Sequence, residues 1–580
     1  MADPRGVISR LFYLFNDEYR THVNRRWQQE HGTPPPWTAA GQRHLRDQQQ
    51  FNELLANPPQ IHGDARWMTR EQAEAIATRN KPQDGSAENA TFYLGNAVDM
   101  ANNEIHCPAV SHPPGHVLTI AATRAGKGAA QIVPNLVVYG GSMLIIDPKG
   151  ENYALTHRMR RKRSKVFRID PFKVTRPVDS ASAFSCFNPL TTLDDSSDAA
   201  RLAEILLGEA PTGDGKFFHD EALQLLKATL LWVSRSPVPT MSAVRDILTL
   251  EDSADDRGGA LSPLGKRFQT IIADSDDPAI IRPIRTFLGK YAKLRSSILA
   301  TINAPMAIWD ERGIAETVDD HHFDLEALKT GKMTIYVILP FDKLRSYAAF
   351  LRVFVGLFYR AMIRDAKPAR TPVACVIDEF PALGQMTEIV NALAEIAGYG
   401  VRFWLFAQGL VQLKAIYPHH YNLILSQCAT KCVFGVTDGE TAQWLSDEVG
   451  KTTVALRTPS LGNSGGGMDG KGYPTGGANS GQNIQFTGKP LLSVPDIREV
   501  FGVGGDMNEQ KRFQIVFLSG YPPMVATLEP WFVDPDLKAL LEQPPAQIPK
   551  QRDDDQPPWW TGIPADYSYG ITYKGGDGDT

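Results

Sequence analysis

Apolar residues along this chain follow two rhythms. Short apolar runs of strand length occupy 116–120, 142–146 and 166–169, then 333–339, 373–377, 401–406, 431–436 and 513–518. Between the third and fourth of these, from about Asp194 to Lys329, the strand signal is gone. Apolar residues there recur at helical spacing, as in 198–207, 219–233 and 278–292. Strands alternating with helices predict an α/β unit whose sheet is largely parallel and covered on both faces. An all-helical stretch is expected to interrupt it.

The boundaries that follow are a helical segment at 1–60, broken at Pro34-Pro35-Pro36, and a first α/β part at 61–190. An all-alpha insertion at 191–330 and a second α/β part at 331–540 complete the folded portion. An acidic, proline-rich tail at 541–580 ends the chain. Glycine dominates between Pro459 and Gln485, which predicts a flexible surface loop. The tail carries Asp553-Asp554-Asp555 and Trp559-Trp560, the latter either a docking motif or a frayed end. The sequence shows no internal repeat.

Composition narrows the picture. With 580 residues, 42% apolar and 22% charged, the chain suits about three folded units. A net charge of −5 excludes a surface that binds nucleic acid everywhere, so any such contact belongs to a local patch or a pore. The basic run His157-Arg158-Met159-Arg160-Arg161-Lys162-Arg163-Ser164-Lys165 either touches phosphates in such a channel or is a solvated helix face. Five scattered cysteines, an odd number, indicate reduced thiols. Cys428 and Cys432 read as core, with no second ligand pair at zinc spacing, and the pairs His321-His322 and His419-His420 as surface. No segment reaches the roughly 20 apolar residues that cross a bilayer, and the apolar stretch at 7–15 is interrupted by Arg10.

The first strand runs into Ala121-Ala122-Thr123-Arg124-Ala125-Gly126-Lys127-Gly128. This is the Gly-Lys core of a phosphate loop with both ends altered: Ala121 stands at the first glycine position and Gly128 at the Ser/Thr position. Successive amides of Thr123, Arg124, Ala125, Gly126, Lys127 and Gly128 at a helix start would form an anion nest, with Lys127 adding a point charge for ATP phosphates. The hydroxyl that usually ligates Mg²⁺ is missing, so a carboxylate elsewhere must hold the metal.

Val373-Ala374-Cys375-Val376-Ile377-Asp378-Glu379 supplies one: an apolar strand ending in two adjacent carboxylates. Neighbouring side chains at a strand end point in different directions and can take different tasks. Asp378 is expected to hold Mg²⁺, and Glu379 to orient and deprotonate the attacking water. Gln408, ending the strand Val401-Arg402-Phe403-Trp404-Leu405-Phe406-Ala407, either reaches the γ-phosphate or caps the strand. Asp147-Pro148-Lys149 either helps position nucleotide or a subunit boundary, or is a structural turn.

With these pieces in order, the chain resembles the coupling-protein ATPases of type IV secretion systems over roughly residues 60 to 535. The resemblance rests on 121–128, Pro134-Asn135-Leu136, Asp147-Pro148-Lys149-Gly150-Glu151, Asp170-Pro171-Phe172 and Phe187-Asn188-Pro189-Leu190. It continues through Asp378-Glu379-Phe380-Pro381-Ala382-Leu383-Gly384, Gly398-Tyr399-Gly400, Gln408, Glu440-Thr441-Ala442 and Lys489-Pro490-Leu491-Leu492. It implies a RecA-like P-loop NTPase core with a parallel central sheet, assembling as a homo-hexamer with ATP at subunit boundaries, and an all-alpha domain that meets substrate. The implied substrates are a relaxase with single-stranded DNA or secreted effector proteins. The implied place is the bacterial cytoplasm, peripheral to the inner membrane through components of the secretion system. In this family a glycine after the loop lysine is familiar. Members usually begin with transmembrane helices, and no such segment is expected here. Some relatives carry an arginine finger where this chain has Ala394-Glu395-Ile396-Ala397-Gly398, which leaves Arg402 or Arg124 for that role. A double-stranded DNA pump and a non-hydrolysing recruitment platform are the alternatives.

Overall fold

A computed structural model describes residues 49–542, except 51, 55, 80–89, 103, 112–114, 180–182, 209, 253–260, 464–477 and 504–511. Most of the expected N-terminal segment, the centre of the glycine-rich stretch and nearly all of the acidic tail, with Trp559-Trp560, lie outside these residues. Thirteen strands are described: β1 (Tyr93–Asp99), β2 (Glu104–Val110), β3 (Val117–Ala121), β4 (Met143–Asp147), β5 (Lys165–Ile169), β6 (Met333–Ile338), β7 (Val373–Ile377), β8 (Val401–Ala407), β9 (Thr430–Phe434), β10 (Lys451–Asn463), β11 (Ala478–Pro490), β12 (Arg512–Leu518) and β13 (Met524–Leu528).

Eleven of them form one sheet in the order β2-β1-β13-β12-β9-β3-β8-β7-β4-β6-β5. From β9 to β5 every pairing is parallel, with Val117 opposite Trp404 and Val373 opposite Val401. β3, β4, β6, β7 and β8 are buried along their whole length, as strands covered on both faces must be. The other flank, β12, β13, β1 and β2, is antiparallel. The fold is thus the expected α/β core, extended by an antiparallel edge of which the hydrophobic pattern had shown only β12.

Between β5 and β6 the described residues form no strand. Helices at Ser196–Leu207, Gly215–Ser234, Met241–Leu248, Pro263–Asp274, Pro278–Leu288 and Ala292–Met306 bury their apolar faces on one another. Their core is continuous with one face of the sheet: Gly356 of the Ala348–Arg364 helix lies so close to Ile205 that an added Cβ would stand 2.5 Å from its Cδ1. Among the described residues no helix is long and apolar enough to cross a membrane.

Two sequence expectations need correction. The segment flanking the glycine-rich centre is an antiparallel ribbon, β10 on β11, paired from Lys451↔Pro490 to Asn463↔Ala478. Cross-strand amide–carbonyl pairing holds a backbone whose composition alone read as loop. The basic run is neither a solvated face nor a channel lining throughout. His157 and Arg160 are buried in the Glu151–Arg161 helix. Arg160 donates to the Tyr139 carbonyl at 2.5 Å, the Gly141 carbonyl at 2.7 Å and Thr334 Oγ1 at 3.0 Å, and Arg161 pairs with Asp179 at 2.9 Å. Arg160 saturates backbone carbonyls that burial would otherwise strand, and Arg161 neutralises the buried Asp179 carboxylate.

Candidate nucleotide site

Four adjacent parallel strands, β3, β8, β7 and β4, deliver their carboxyl ends to one edge of the sheet, where open α/β folds bind ligands. β3 runs into the phosphate loop. Arg124 at φ 64° and Gly126 at φ 96° take left-handed conformations two residues apart, and alternation of that kind curls amides into an anion-binding nest. Thr123 and Arg124 face solvent, Ala125 is buried, and Lys127 and Gly128 are half-buried. Ala125 is pressed by Gly435, which follows β9 at φ +59° and would bring a Cβ to 2.3 Å from the Ala125 Cβ. The next helix opens with a wide turn over Gly128–Ile132, closed by Val133 N–H donating to the Gly128 carbonyl, and continues as Val133–Val138. A Cβ at Gly128 would meet nothing within 4 Å, so a Ser or Thr there is sterically allowed.

A polar chain seats this helix on the sheet. Trp404 Nε1 donates to Thr119 Oγ1 at 3.0 Å, Thr119 to Gln131 at 2.9 Å, and Gln131 Nε2 to Gln514 at 2.7 Å. Asn135 closes a two-way amide contact with the backbone of Tyr93 on β1. The Pro134-Asn135-Leu136 motif therefore ties the phosphate-loop helix to the antiparallel flank.

Lys127 and the acidic strand end, 251 residues apart, meet here. Lys127 Nζ donates to the Asp378 carbonyl at 2.8 Å and to Glu379 Oε2 at 3.2 Å, and lies 3.3 Å from Asp378 Oδ1. Gln408, at the end of β8, donates from Nε2 to Glu379 Oε2 at 3.2 Å. The structure thus brings Lys127, Asp378, Glu379 and Gln408 to one place, beside the loop 123–128. Sequence reasoning passed over Gln412, which donates to Glu379 Oε1 at 3.0 Å from the Leu410–Ile416 helix. A second glutamine four residues after Gln408, one helical turn on, is the signal that could have found it.

Asp147 ends β4 alongside β7 and is fully buried, accepting from Tyr153 N–H at 2.8 Å. Loss of solvent, with the nearby Asp378 charge adding to it, pushes its carboxyl up to about 7. Arg402 is buried and donates to the carbonyls of Ala90 and Gly115, so it is bound within its own chain and is no finger.

The site suits a triphosphate and a divalent cation. Asp378 Oδ1 is buried with no well-formed hydrogen bond among the described residues, the ammonium at 3.3 Å being its only close charge partner. A carboxylate oxygen left in that state fits magnesium or a metal-bound water. Opposite it stand the nest and Lys127.

The sequence profile described as Type IV secretory system Conjugative DNA transfer matches residues 64–553. Conjugal transfer protein TraG of Escherichia coli is 25% identical over 524 residues, 84% of this chain and 79% of TraG. Protein VirD4 of Agrobacterium fabrum is 25% identical over 442 residues, 74% of this chain and 60% of VirD4. Among solved structures, the unbound bacterial conjugative coupling protein TrwBdeltaN70 superposes with a TM-score of 0.55 at 14% identity, covering 79% of this chain and 91% of that one. Plasmid coupling protein TrwB in complex with a non-hydrolysable ATP analogue gives 0.54 at 14% identity, covering 82% and 96%. At such identity the likeness establishes the fold.

Proposed function

We propose, from the premise that this chain belongs to the type IV secretory system conjugative DNA-transfer family, that it is an ATP-hydrolysing coupling protein. Its task in this reading is to recruit substrate and drive it to the secretion channel. The substrate is relaxase-bound single-stranded DNA or secreted effector proteins. It works as a homo-hexamer on inner-membrane components of the system, at the cytoplasmic side. The observation that carries the catalytic part is the meeting of Lys127 with Asp378 and Glu379 at the carboxyl edge of the parallel sheet. TrwB, of the same fold, has been solved with an ATP analogue bound.

The roles follow from position. Amides of 123–128 hold the phosphates, and Lys127 turns from the carboxylates to the β/γ-phosphates. Magnesium, held by Asp378 directly or through water, would neutralise charge on the β/γ oxygens. Glu379 takes a proton from water as the water oxygen attacks the γ-phosphorus. The bond to the bridging oxygen breaks and ADP departs with that electron pair. Gln408, which donates to Glu379, would in this reading also reach the γ-phosphate as a neutral donor.

ATP turnover by the full chain tests this. The parent is expected to hydrolyse MgATP; Lys127→Ala loses nucleotide binding, and Glu379→Gln loses about 100-fold or more in kcat. Turnover equal in all three proteins removes the catalytic assignment. Stronger stimulation by duplex than by single-stranded DNA would make it a duplex pump instead.

A further inference from the structure

We propose that Gln412 is a positioning residue for the water-activating carboxylate of Glu379, holding it in place once Lys127 has turned to the nucleotide. This rests on the catalytic reading above and deepens it.

Three groups donate to the Glu379 carboxylate. Oε2 receives Lys127 at 3.2 Å and Gln408 Nε2 at 3.2 Å, whereas among the described residues Oε1 receives only Gln412 Nε2, at 3.0 Å. The carboxylate is 7% exposed, so little solvent competes for it. When Lys127 leaves for the phosphates, one donor remains on each oxygen, and both are neutral amides. A neutral donor fixes the plane of a carboxylate without supplying a full positive charge that would quench it as a base.

The orientation of Gln412 follows from its own contacts. Its Oε1 accepts from the backbone N–H of Gln408 at 2.9 Å, and a backbone N–H can only donate. The carbonyl end of this amide is therefore assigned to Gln408, and the NH₂ end must face Glu379. Strand end, Gln412 amide, Glu379 carboxylate and Gln408 side chain form a closed ring of hydrogen bonds. The helix that presents Gln412 is anchored by buried Leu410 and Leu413, and by Leu410 N–H donating to Thr441 Oγ1 at 2.9 Å. Gln412 thus links the strand end that carries Gln408 to the base. A shift of either moves the other.

The test uses the full chain: kcat and KM for MgATP, MgADP affinity by calorimetry, and thermal unfolding. Gln412→Ala and the size-matched Gln412→Met are each made in the parent and in Glu379→Gln. Both single variants should lower kcat about 10- to 100-fold, the range of a lost hydrogen bond to a charged group. MgADP affinity should stay within about threefold of the parent. In the Glu379→Gln background neither should lower kcat further, because a residue acting through the carboxylate has nothing left to position. Three results would overturn the role. Gln412→Met may retain parental kcat, which marks packing; nucleotide affinity or folding may fall in step with kcat, which marks structure; or the losses may multiply in the double variant. A parent that turns over no MgATP overturns the hydrolysis reading itself and is told apart by that protein alone.

Discussion

Replacing Lys127 by alanine removes the one cation that faces both Asp378 and Glu379. The obvious consequence is lost phosphate binding, but in the absence of nucleotide the structure implies a second one. Glu379 is 7% exposed, and its contact with Lys127 Nζ is 3.2 Å long. At that separation, with an effective dielectric near 20, a pair of unit charges attracts by about 5 kcal/mol. Against this stand the desolvation of a lysine side chain that is 18% exposed and about 2 kcal/mol of rotamer entropy that alanine does not lose. The carboxylate wins this comparison, because Gln408 and Gln412 supply hydrogen bonds to it but no charge. We expect nucleotide-free Lys127→Ala to be less stable by about 2–4 kcal/mol. In a Glu379→Gln background the same change should cost less, since the Glu379 share is gone while Asp378 Oδ1 at 3.3 Å and the Asp378 carbonyl at 2.8 Å still lose their cation. Urea unfolding followed by circular dichroism and by tryptophan fluorescence reads both values, with coincident transitions licensing the conversion to free energy. A Lys127→Ala protein as stable as the parent, or equal losses in the two backgrounds, would refute the argument.

Four further outcomes follow from particular contacts. Glu379→Gln frees Lys127 from one of its two carboxylate partners while keeping both amides in place, so MgADP affinity by calorimetry should equal or exceed that of the parent; weaker binding would contradict the competition between carboxylate and phosphate for Lys127. Gly435→Ala forces a side chain at φ +59° against the Ala125 Cβ, 2.3 Å away, and should lower MgADP affinity about tenfold through the displaced phosphate loop. Adding Ala125→Gly should recover part of it, and unchanged affinity in Gly435→Ala would refute the contact. Arg160→Met leaves the Tyr139 and Gly141 carbonyls without their donors and should cost about 3 kcal/mol in urea unfolding, a neutral result being the refutation. Asp147, its carboxyl raised to about 7 by burial, binds its proton more tightly folded than unfolded. It therefore stabilises the fold fully below pH about 4 and loses that contribution as pH rises through 7, so Asp147→Asn should flatten the parent's decline in stability over that window in magnesium-free buffer.

The legible part of this fold was the part in which one strand is buried on both faces. β3, β4, β6, β7 and β8 appear in the sequence as mostly apolar runs because no position in them meets solvent, with Thr119, Asp147, Thr334 and Arg402 as their few polar members. β1 and the edge strand β2 were harder to read because Asn96, Asp99, Glu104 and His106 break their apolar pattern, although β1 is itself buried along its length. β10 and β11 were hidden for the opposite reason: glycine marks loops by composition, yet a paired ribbon needs only its amides. At the site, Lys127, Asp378 and Glu379 stood out because their residue types follow strand ends. Gln412 did not, since a glutamine inside a helix has no distinctive neighbours until the helix is placed beside β7. The basic run was misjudged because sequence counts charges but not the carbonyls that await them.

Lys127 has one ammonium and two sets of anions that can claim it. In the structure it rests on the Asp378 carbonyl and the two carboxylates, so the proposed base and the proposed metal-binding oxygen face the same cation. On the reading proposed above, phosphates arriving at the amides of 123–128 would draw it away and uncover Asp378 and Glu379 together. Charge balance would favour this exchange: Asp378 would hold the divalent cation in place of the lysine, and the lysine would face phosphates in place of carboxylates. On that reading Glu379 would become free to act as the base only once a triphosphate has drawn the ammonium away. Its orientation survives the exchange because the two glutamine amides that hold it belong to β8 and the following helix, not to the loop that the nucleotide moves.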